Sequence, residues 1–212
     1  ANRDTAAALR DGKTKRVDVG KVTFQSHSNE AVQRYFLNVS SFGLSAAVLS
    51  RVKSAKFFDW LPLDSFRGRA NFAFSTLREI LDLDPVSIRV RFDDGDEKTL
   101  QTINFCIANA RFFGGGMMIA PNAKINDGLF DVVNIGDLGT AKILLNAYSL
   151  YRGTHNSLDE VKSTLARKIE VSALDPSQEI FLETDGELPG KLPATYEIIP
   201  DAIRVRVPRS HS

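Results

Sequence analysis

The second half of the chain, from Val86 onward, is dominated by an alternation of apolar and polar residues. A period of two is typical of strands that bury one face and expose the other. The pattern predicts seven strands, which cover residues 86–92, 99–109, 129–135, 168–173, 179–183, 194–199 and 203–207. Asp93-Asp94-Gly95-Asp96 separates the first two and predicts a hairpin turn.

The first half of the chain mixes both periodicities. Alternation predicts two strands, at residues 17–24 and 35–39. Helical spacing of apolar residues predicts four helices, at residues 3–11, 42–52, 69–83 and 141–151. An apolar segment at residues 57–66 is interrupted by Pro62. We therefore predict a mainly β, mostly antiparallel protein with a few helices.

Composition narrows the class of protein without naming a function. The chain has 212 residues, of which 43% are hydrophobic and 25% are charged, as in an ordinary globular protein. A net charge of +1 argues against a nucleic-acid partner. The single cysteine, Cys106, excludes an internal disulfide, fits a reducing compartment and lies in an apolar run typical of an inert core thiol. No apolar run is long enough to span a membrane, and we expect a cytoplasmic protein.

Two carboxylates flank a glycine in Asp185-Gly186-Glu187, directly after an apolar, strand-like run. A turn of this kind presents both acids at one edge, where one could serve as a general base and one could lie near a cation. Asp-Gly is also an ordinary turn signal, so a purely structural turn is the alternative. A second Asp-Gly, at Asp127-Gly128, strengthens the functional interpretation.

Three glycines at 114–116 lie between two aromatic residues and two methionines. A phosphate-binding loop would run from such glycines into a helix, and the sequence that follows is not helical, so that interpretation is disfavoured. The remaining alternatives are a bent loop that joins strands and a loop that lines a substrate cleft. The cleft interpretation assigns substrate contacts to Phe112, Phe113, Gly114, Gly115, Gly116 and Met117, with Met118 beside them.

The loop Lys124-Ile-Asn-Asp-Gly-Leu129 could hold a hard cation through Asp127 and nearby carbonyl oxygens, or could be a plain turn. The three histidines are scattered, and no His-x-x-x-His or Cys-x-x-Cys pair predicts a zinc site. No Gly-x-Ser-x-Gly motif predicts a serine nucleophile either.

Four stretches in the right order resemble the bacterial lipid kinases related to diacylglycerol kinase and sphingosine kinase. They are residues 14–22, Phe36-Leu-Asn-Val-Ser-Ser-Phe-Gly43, the glycine-rich segment at 109–131, and Asp185-Gly-Glu187 with the ending that follows it. The family's nucleotide-binding motif, Gly-Gly-Asp-Gly-Thr, is absent from the chain. The resemblance therefore implies a second domain that works with a nucleotide-binding domain carried by preceding sequence.

The resemblance also implies a fold and a set of roles. The fold would be a β-sandwich similar to the C-terminal half of NAD kinases, over residues 17–212, with residues 1–16 as the tail of the preceding domain. Glu187 would be the general base that takes a proton from a lipid hydroxyl, and Asp185 the acid beside it. Asp127 would bind a structural magnesium ion together with the backbone carbonyls of Lys124 and Leu129. ATP and Mg²⁺ would be the cofactors, with ATP held mainly by the other domain.

Two rival functions stay open at this point. A soluble-metabolite kinase related to NAD kinase would have a polar pocket around Glu187. A sandwich that binds lipid or a partner protein without catalysis would need no nucleotide-binding domain. Peripheral membrane contact and a homodimer are further expectations for the partners of this chain.

Overall fold

The structure, a computed structural model, describes residues 10–54, 76–82 and 84–208. Within these residues the strands are β1 (Lys13–Gln25), β2 (Ala31–Phe36), β3 (Val39–Gly43), β4 (Val86–Phe92), β5 (Lys98–Thr102), β6 (Asn104–Ala108), β7 (Phe112–Phe113), β8 (Met117–Met118), β9 (Phe130–Ile135), β10 (Val161–Ala166), β11 (Lys168–Ala173), β12 (Phe181–Thr184) and β13 (Glu187–Val207). The helices are α1 (Leu44–Ser54) and α2 (Thr140–Arg152), with a 3-10 turn at His155–Ser157. Residues 10–11 and 76–81 are also helical.

Eleven of the strands form one curled antiparallel sheet. Its order is β10-β9-β6-β3-β12-β13-β11-β4-β5, and β1 pairs with both β13 and β2. The short strands β7 and β8 form a separate hairpin. This mainly β architecture confirms the predicted fold class.

The main core lies within the curl of the sheet and is rich in aromatic rings. Phe36 stacks on Phe130 with ring centroids 5.6 Å apart, and Phe42 stacks on Phe105 at 5.1 Å. The Tyr196 ring meets Phe36 edge-on and is fully buried. Such rings bury large apolar areas, so they contribute much of the driving force for closing the sheet.

A second, smaller core covers the other face of β3, β6 and β9. It contains Val39, Cys106 and Val133 from the sheet, and Ile119 and Ala123 from the segment after β8. Cys106 is fully buried, and burial raises the pKa of its thiol. The prediction of an inert core cysteine is thus confirmed.

Two predicted strands are divided in the structure. Residues 99–109 form β5 and β6, which lie in different parts of the sheet, and residues 35–39 span the end of β2 and the start of β3. The helix predicted at residues 42–52 is α1, which begins after Gly43. Gly43 has φ +91°, and a Cβ there would lie 2.4 Å from the Ile103 carbonyl oxygen, so a side chain is excluded.

The two strands predicted at 194–199 and 203–207 form a single strand, β13, that pairs with β1 along most of its length. Pro200-Asp201 does not end the strand. Asp201 adopts φ +55°, and the pairing with β1 continues beyond it. On β1, opposite Pro200-Asp201, the register of the pairing with β13 shifts at Asp18. β1 begins at Lys13, so residues 13–16 pair with the end of β13.

Strand β10 was not among the predicted elements. Its sequence, VKSTLA, shows one buried residue at each end and four exposed residues between them, so it has little alternation. The predicted helix at 141–151 is confirmed as α2, which ends at Gly153 with φ +66°. The segment at 57–66, most of the helix predicted at 69–83 and most of that at 3–11 lie outside the described residues.

Candidate active site

The Asp185-Gly186-Glu187 motif forms the tight turn between β12 and β13. Thr184 pairs directly with Glu187, so the loop contains two residues. Both of them have positive φ, +47° at Asp185 and +86° at Gly186, as in the type I′ turns that favour Asp-Gly. The turn therefore fixes the direction in which Glu187 leaves the sheet.

The Asp185 carboxylate binds the backbone that joins β2 to β3. Its Oδ2 accepts the Leu37 amide at 2.8 Å, and its Oδ1 accepts the amides of Asn38 and Val39 at 3.1 Å each. The Asp185 amide in turn donates to the Val39 carbonyl at 3.0 Å. These bonds place Asp185 as the group that joins the turn to its neighbouring loop, while its predicted catalytic role stays a prediction.

A third carboxylate, Glu183, lies buried beneath the turn with 8% exposure. Its Oε1 accepts the Gly186 amide at 2.6 Å, and its Oε2 accepts the Ser41 hydroxyl at 2.6 Å. Ser41 also shares a hydrogen bond with Ser45 at the start of α1. The turn is thus held from below by a buried carboxylate and from the side by Asp185.

Asp185 and Glu187 are both exposed, and Glu187 is the one that a cation binds instead of backbone amides. Its side chain is 63% exposed, and its Oε2 lies 2.5 Å from Nη1 of Arg34 on β2. Arg34 is itself half-exposed. A carboxylate on a rigid turn, oriented by one cation and open to solvent, is geometrically suited to accept a proton from a bound hydroxyl.

The second acidic motif lies in the loop before β9. Oδ1 of Asp127 accepts the Leu129 amide at 3.2 Å, which is an Asx turn, and the side chain is exposed. Asp127 lines an open cleft of about 490 Å³ together with Asp18, Arg167 and Asp201.

Asp18 holds this second motif in place from the interior. It is 1% exposed, its Oδ2 accepts the Gly128 amide at 2.7 Å, and its Oδ1 accepts the Asp201 amide at 2.7 Å. Its own amide donates to the Ile125 carbonyl at 2.8 Å. A buried carboxylate with two short amide donors is a strong fixing point, since hydrogen bonds to charged groups exceed neutral ones.

A continuous series of hydrogen bonds connects the two acidic motifs through Asn109. The buried Nδ2 of Asn109 donates to the Leu37 carbonyl at 2.9 Å and to the Asp18 carbonyl at 3.0 Å. The Leu37 amide binds Asp185, and the Asp18 carboxylate binds Gly128. The two motifs therefore share one rigid support.

The motifs lie at the same end of four adjacent strands, β9, β6, β3 and β12. Asp131 pairs with Ala108, Ala108 pairs with Val39, and Val39 bonds to Asp185. Three interstrand spacings of about 4.8 Å separate Asp131 from Asp185 by roughly 14 Å. Asp127 and Glu187 thus belong to one edge of the sheet but to separate parts of it.

The residues around Asp127 fit a hard cation with few protein ligands. Asp131 is 8% exposed, and its pKa is raised by burial and then by the charge of Asp127, opposed by Lys124 and Arg111. The negative charge that raises the pKa of Asp131 would also favour a nearby cation. Magnesium is commonly bound by one or two carboxylates with water and carbonyl oxygens. In the ranges that the structure describes, no group of three or more acidic, histidine or cysteine side chains is placed to hold a metal.

The glycine-rich segment is a hairpin. Gly114, Gly115 and Gly116 all have positive φ, and the Gly116 amide donates to the Phe113 carbonyl at 3.1 Å. The loop connects two strands, not a strand and a helix, in agreement with the prediction that disfavoured a phosphate-binding loop. Phe113 packs against the small core, while Phe112 is 47% exposed. Substrate contact by this hairpin stays a prediction.

Sequence reasoning missed four residues that build the site: Asp18, Arg34, Asn109 and Glu183. Arg34 occupies an ordinary exposed strand position, and nothing in its surroundings marks it. Asp18 and Glu183 interrupt apolar stretches, which is a signal for a buried polar group. Asp18 binds Gly128, and Glu183 binds Ser41, across more than 100 positions of the chain, so the sequence could not identify these partners.

The chain belongs to the family described as the YegS C-terminal NAD kinase beta sandwich-like domain, which matches residues 38–207. Similar curated proteins cover nearly all of the chain. A diacylglycerol kinase of Mycobacterium tuberculosis (strain ATCC 25618 / H37Rv) is 28% identical over 199 residues, which are 94% of this chain and 59% of that protein. A diacylglycerol kinase of Bacillus subtilis (strain 168) is 23% identical over the same shares.

Solved structures show the same fold. A crystal structure of a diacylglycerol kinase from Bacillus anthracis str. Sterne superimposes with a TM-score of 0.57 at 15% identity, covering 94% of this chain and 56% of that one. The chain spans just under three fifths of the length of the curated relatives it matches. In the part of the chain that the structure describes, no helix is long and apolar enough to cross a membrane.

Proposed function

We propose that this chain is the base-carrying second domain of an ATP-dependent lipid kinase, with Glu187 as the general base. Membership of the family and the relatives named diacylglycerol kinase support the class of enzyme. One structural observation supports the assignment of the base: of the three acids around the β12–β13 turn, Glu183 and Asp185 are bound to backbone amides, whereas the exposed Glu187 is paired with the Arg34 side chain.

In the proposed reaction Glu187 accepts the proton of the acceptor hydroxyl. The hydroxyl oxygen forms a bond to the γ-phosphorus as the bond from that phosphorus to the β–γ bridging oxygen breaks, and ADP leaves. ATP with its magnesium, bound mainly by a nucleotide-binding domain, supplies the phosphoryl group. The contribution of this chain is to position the carboxylate, and such proton transfer accounts for about 10²–10⁴-fold in rate.

Arg34 has two proposed roles beside Glu187. Its guanidinium orients the carboxylate in the free enzyme through the contact at 2.5 Å. During transfer it would place a positive charge near the developing negative charge of the phosphoryl group, which lowers the barrier.

The surface beside Glu187 favours a lipid acceptor over a soluble metabolite. Leu37, which directly follows β2, is 49% exposed. The Leu37 amide is one of the three that Asp185 binds, so an apolar side chain lies at the rim of the turn. A hydrophobic rim next to a proposed base suits an acyl chain whose hydroxyl enters the site.

The metal near Asp127 is proposed as structural. Asp127, with Asp131 and the carbonyls of Lys124 and Leu129, would hold a magnesium ion that reinforces the loop before β9. The roughly 14 Å between Asp131 and Asp185, estimated from strand spacing, supports a role for this metal outside the reacting centre.

The test is an acceptor comparison with the full-length protein that carries this chain. Radiolabelled ATP and magnesium are supplied with diacylglycerol or a sphingoid base in detergent micelles, or with NAD in solution. We expect label in a lipid product and none in NADP. Label in NADP alone would assign the protein to soluble-metabolite kinases, and no transfer to any acceptor by folded protein would favour a non-catalytic binding domain.

A further inference from the structure

The ends of β1 and β13 extend beyond the rest of the sheet as a pair of strands. Residues 13–17 of β1 pair with residues 203–207 of β13, and we call these two segments the basic ribbon. β2 pairs with β1 over residues 20–25, and β11 pairs with β13 over residues 194–197, so both neighbours stop before the ribbon begins. In the part of the chain that the structure describes, no third strand pairs with it. Two strands alone are marginally stable in water, so we expect a surface of the ribbon to meet a partner.

One face of the basic ribbon carries arginines. In an antiparallel pair, residues directly opposite each other share a face, and alternate residues along each strand share it too. Thr14 is opposite Arg206, and Arg16 is opposite Arg204. Nη1 of Arg206 donates to Oγ1 of Thr14 at 3.4 Å, as expected for side chains on one face. Three guanidinium groups therefore share this face, and we call Arg16, Arg204 and Arg206 the arginine face.

The charge of the basic ribbon has one sign. It contains no aspartate or glutamate and has five exposed cations: Lys13, Lys15, Arg16, Arg204 and Arg206. Arg16 and Arg204 are directly opposite each other, and like charges in that position are destabilising. Arg16 also lies 3.3 Å from the carboxylate of Asp201, but an exposed ion pair of this kind offsets little. An anion with several charges, bound across the arginine face, would relieve the repulsion.

The basic ribbon leaves the sheet at the edge that carries both acidic motifs. The Nδ2 group of Asn109 donates to the Asp18 carbonyl and to the Leu37 carbonyl, so β1 at this point lies beside the loop after β2. The amide of Leu37 is one of those that Asp185 binds. Arg16 is two residues beyond Asp18, which is about 7 Å along the strand. The arginine face thus begins next to the support of the turn that carries the proposed base.

We propose that the arginine face binds phosphate groups of ATP when a nucleotide-binding domain presents the nucleotide to this edge. A guanidinium group matches phosphate oxygens with two parallel N–H donors. Arg16 and Arg204 lie about 5 Å apart across the two strands, so both can reach one polyphosphate chain. This inference rests on the proposed function, in which ATP is the phosphoryl donor, and it adds a nucleotide contact that this chain supplies.

The experiment is calorimetric titration of the full-length protein with ATP and magnesium, without an acceptor. Arg16→Gln with Arg204→Gln removes both forks and keeps a polar surface. We expect the Kd for ATP to rise at least about tenfold, because hydrogen bonds to charged groups each contribute about that factor. The Kd for adenosine, which has no phosphate, should stay the same. Thermal melting of each variant shows that it is folded.

The other face of the ribbon offers a matched control. Lys13→Gln with Lys15→Gln removes the same charge from that face and should bind ATP as the parent does. If the glutamine variant of the arginines melts early, Arg16→Lys with Arg204→Lys replaces it. That variant keeps the charge but lacks the forks, so its Kd for ATP should still rise, by less than in the glutamine variant.

Three results would overturn the proposal. They are a folded arginine variant that binds ATP as the parent does, a lysine control that weakens ATP binding equally, and an arginine variant that loses adenosine binding to the same extent. Transfer assays on the same preparations separate this inference from the proposed function. A parent that phosphorylates a lipid while its arginine variant binds ATP normally would overturn the role of the ribbon alone, whereas a parent that binds no ATP would overturn both.

Discussion

The three carboxylates of the β12–β13 hairpin have different partners, and the partners separate their roles. Glu183 binds the Gly186 amide and the Ser41 hydroxyl, Asp185 binds three consecutive amides, and Glu187 binds the guanidinium of Arg34. Backbone amides that are satisfied by a carboxylate hold the chain in one conformation. Two acids therefore position the turn, and Glu187 is the one that we propose meets the substrate.

The first prediction concerns Asp185→Asn in the full-length protein. Asparagine keeps one acceptor oxygen but turns an NH₂ group toward amide donors, so we expect a loss of about 1–3 kcal/mol in the free energy of unfolding. Turnover should fall as well, because the turn that carries Glu187 loosens. Denaturant unfolding and kcat are measured on the same protein.

Asp175→Asn is the matched control for this variant. Asp175 also accepts a local amide, that of Ser177 at 2.8 Å, but within an exposed turn away from the hairpin. Its replacement should change both stability and turnover far less. Equal effects of the two variants would show that Asp185 is an ordinary turn residue.

At the scale of elements, the end of α2 is fixed by a buried histidine. His155 is 2% exposed, and its Nε2 donates to the Ile119 carbonyl at 2.9 Å, in the segment that follows β8. Burial lowers the pKa of His155, against the opposing carbonyls of Ile119 and Ser149. The neutral ring is therefore the form that the fold prefers.

This preference predicts a pH-dependent stability. Between the lowered pKa and the unfolded value of about 6.5, the unfolded chain binds more protons than the folded one. The stability that neutral His155 contributes is complete above the unfolded pKa of about 6.5 and is lost as the pH falls toward the folded pKa. Stability should therefore decrease on acidification from pH 7 to 5, with a smaller slope in His155→Gln, as measured by urea unfolding at each pH. An unchanged slope in a folded variant would rule out this role of His155.

Local sequence pattern predicted the elements whose determinants are local. Alternation located β4, β9, β11 and β12, and Asp-Gly located the hairpin turn of Asp185. The local pattern gave a wrong prediction where the backbone conformation depends on a residue distant in the chain. Pro200-Asp201 has turn chemistry, yet β13 continues because the buried Asp18 carboxylate accepts the Asp201 amide. The hydrogen bonds of Asn109 and Glu183 that support the site could not be predicted from the sequence either.

At the scale of the whole molecule, the sheet brings two acidic motifs to one edge and connects them through buried hydrogen bonds. A ligand that binds one of them in the folded state stabilises the entire fold by mass action. The pKa of Asp131 is raised by burial and by the charge of Asp127, and that charge is the basis of the proposed cation site.

Magnesium should therefore raise the melting temperature. At a magnesium concentration of about a hundred times the Kd, linkage gives roughly 2.7 kcal/mol. Asp127→Asn should remove the shift, whereas Asp137→Asn, an exposed acid beyond β9, should keep it. Calorimetric titration with magnesium accompanies the melts. A shift that survives Asp127→Asn would place the cation elsewhere.

The chain by itself should bind ATP weakly and should not transfer phosphate. The glycine-rich segment is a hairpin between two strands, and the nucleotide-binding pentapeptide of related kinases is absent from the sequence. Calorimetry with ATP and magnesium on residues 1–212 tests this expectation. Micromolar binding would show that the nucleotide site lies in this chain.

The most direct test of the account is Glu187→Gln in the full-length protein, with kcat and thermal melting measured on one preparation. Glutamine has nearly the same shape but is not a useful base at neutral pH. We expect kcat to fall about 10²–10⁴-fold, as for loss of a general base. The free energy of unfolding should change by less than about 1 kcal/mol, since the side chain is 63% exposed and its ion pair is at the surface. A variant that keeps more than about a tenth of the parent kcat would contradict the assignment of Glu187 as the base.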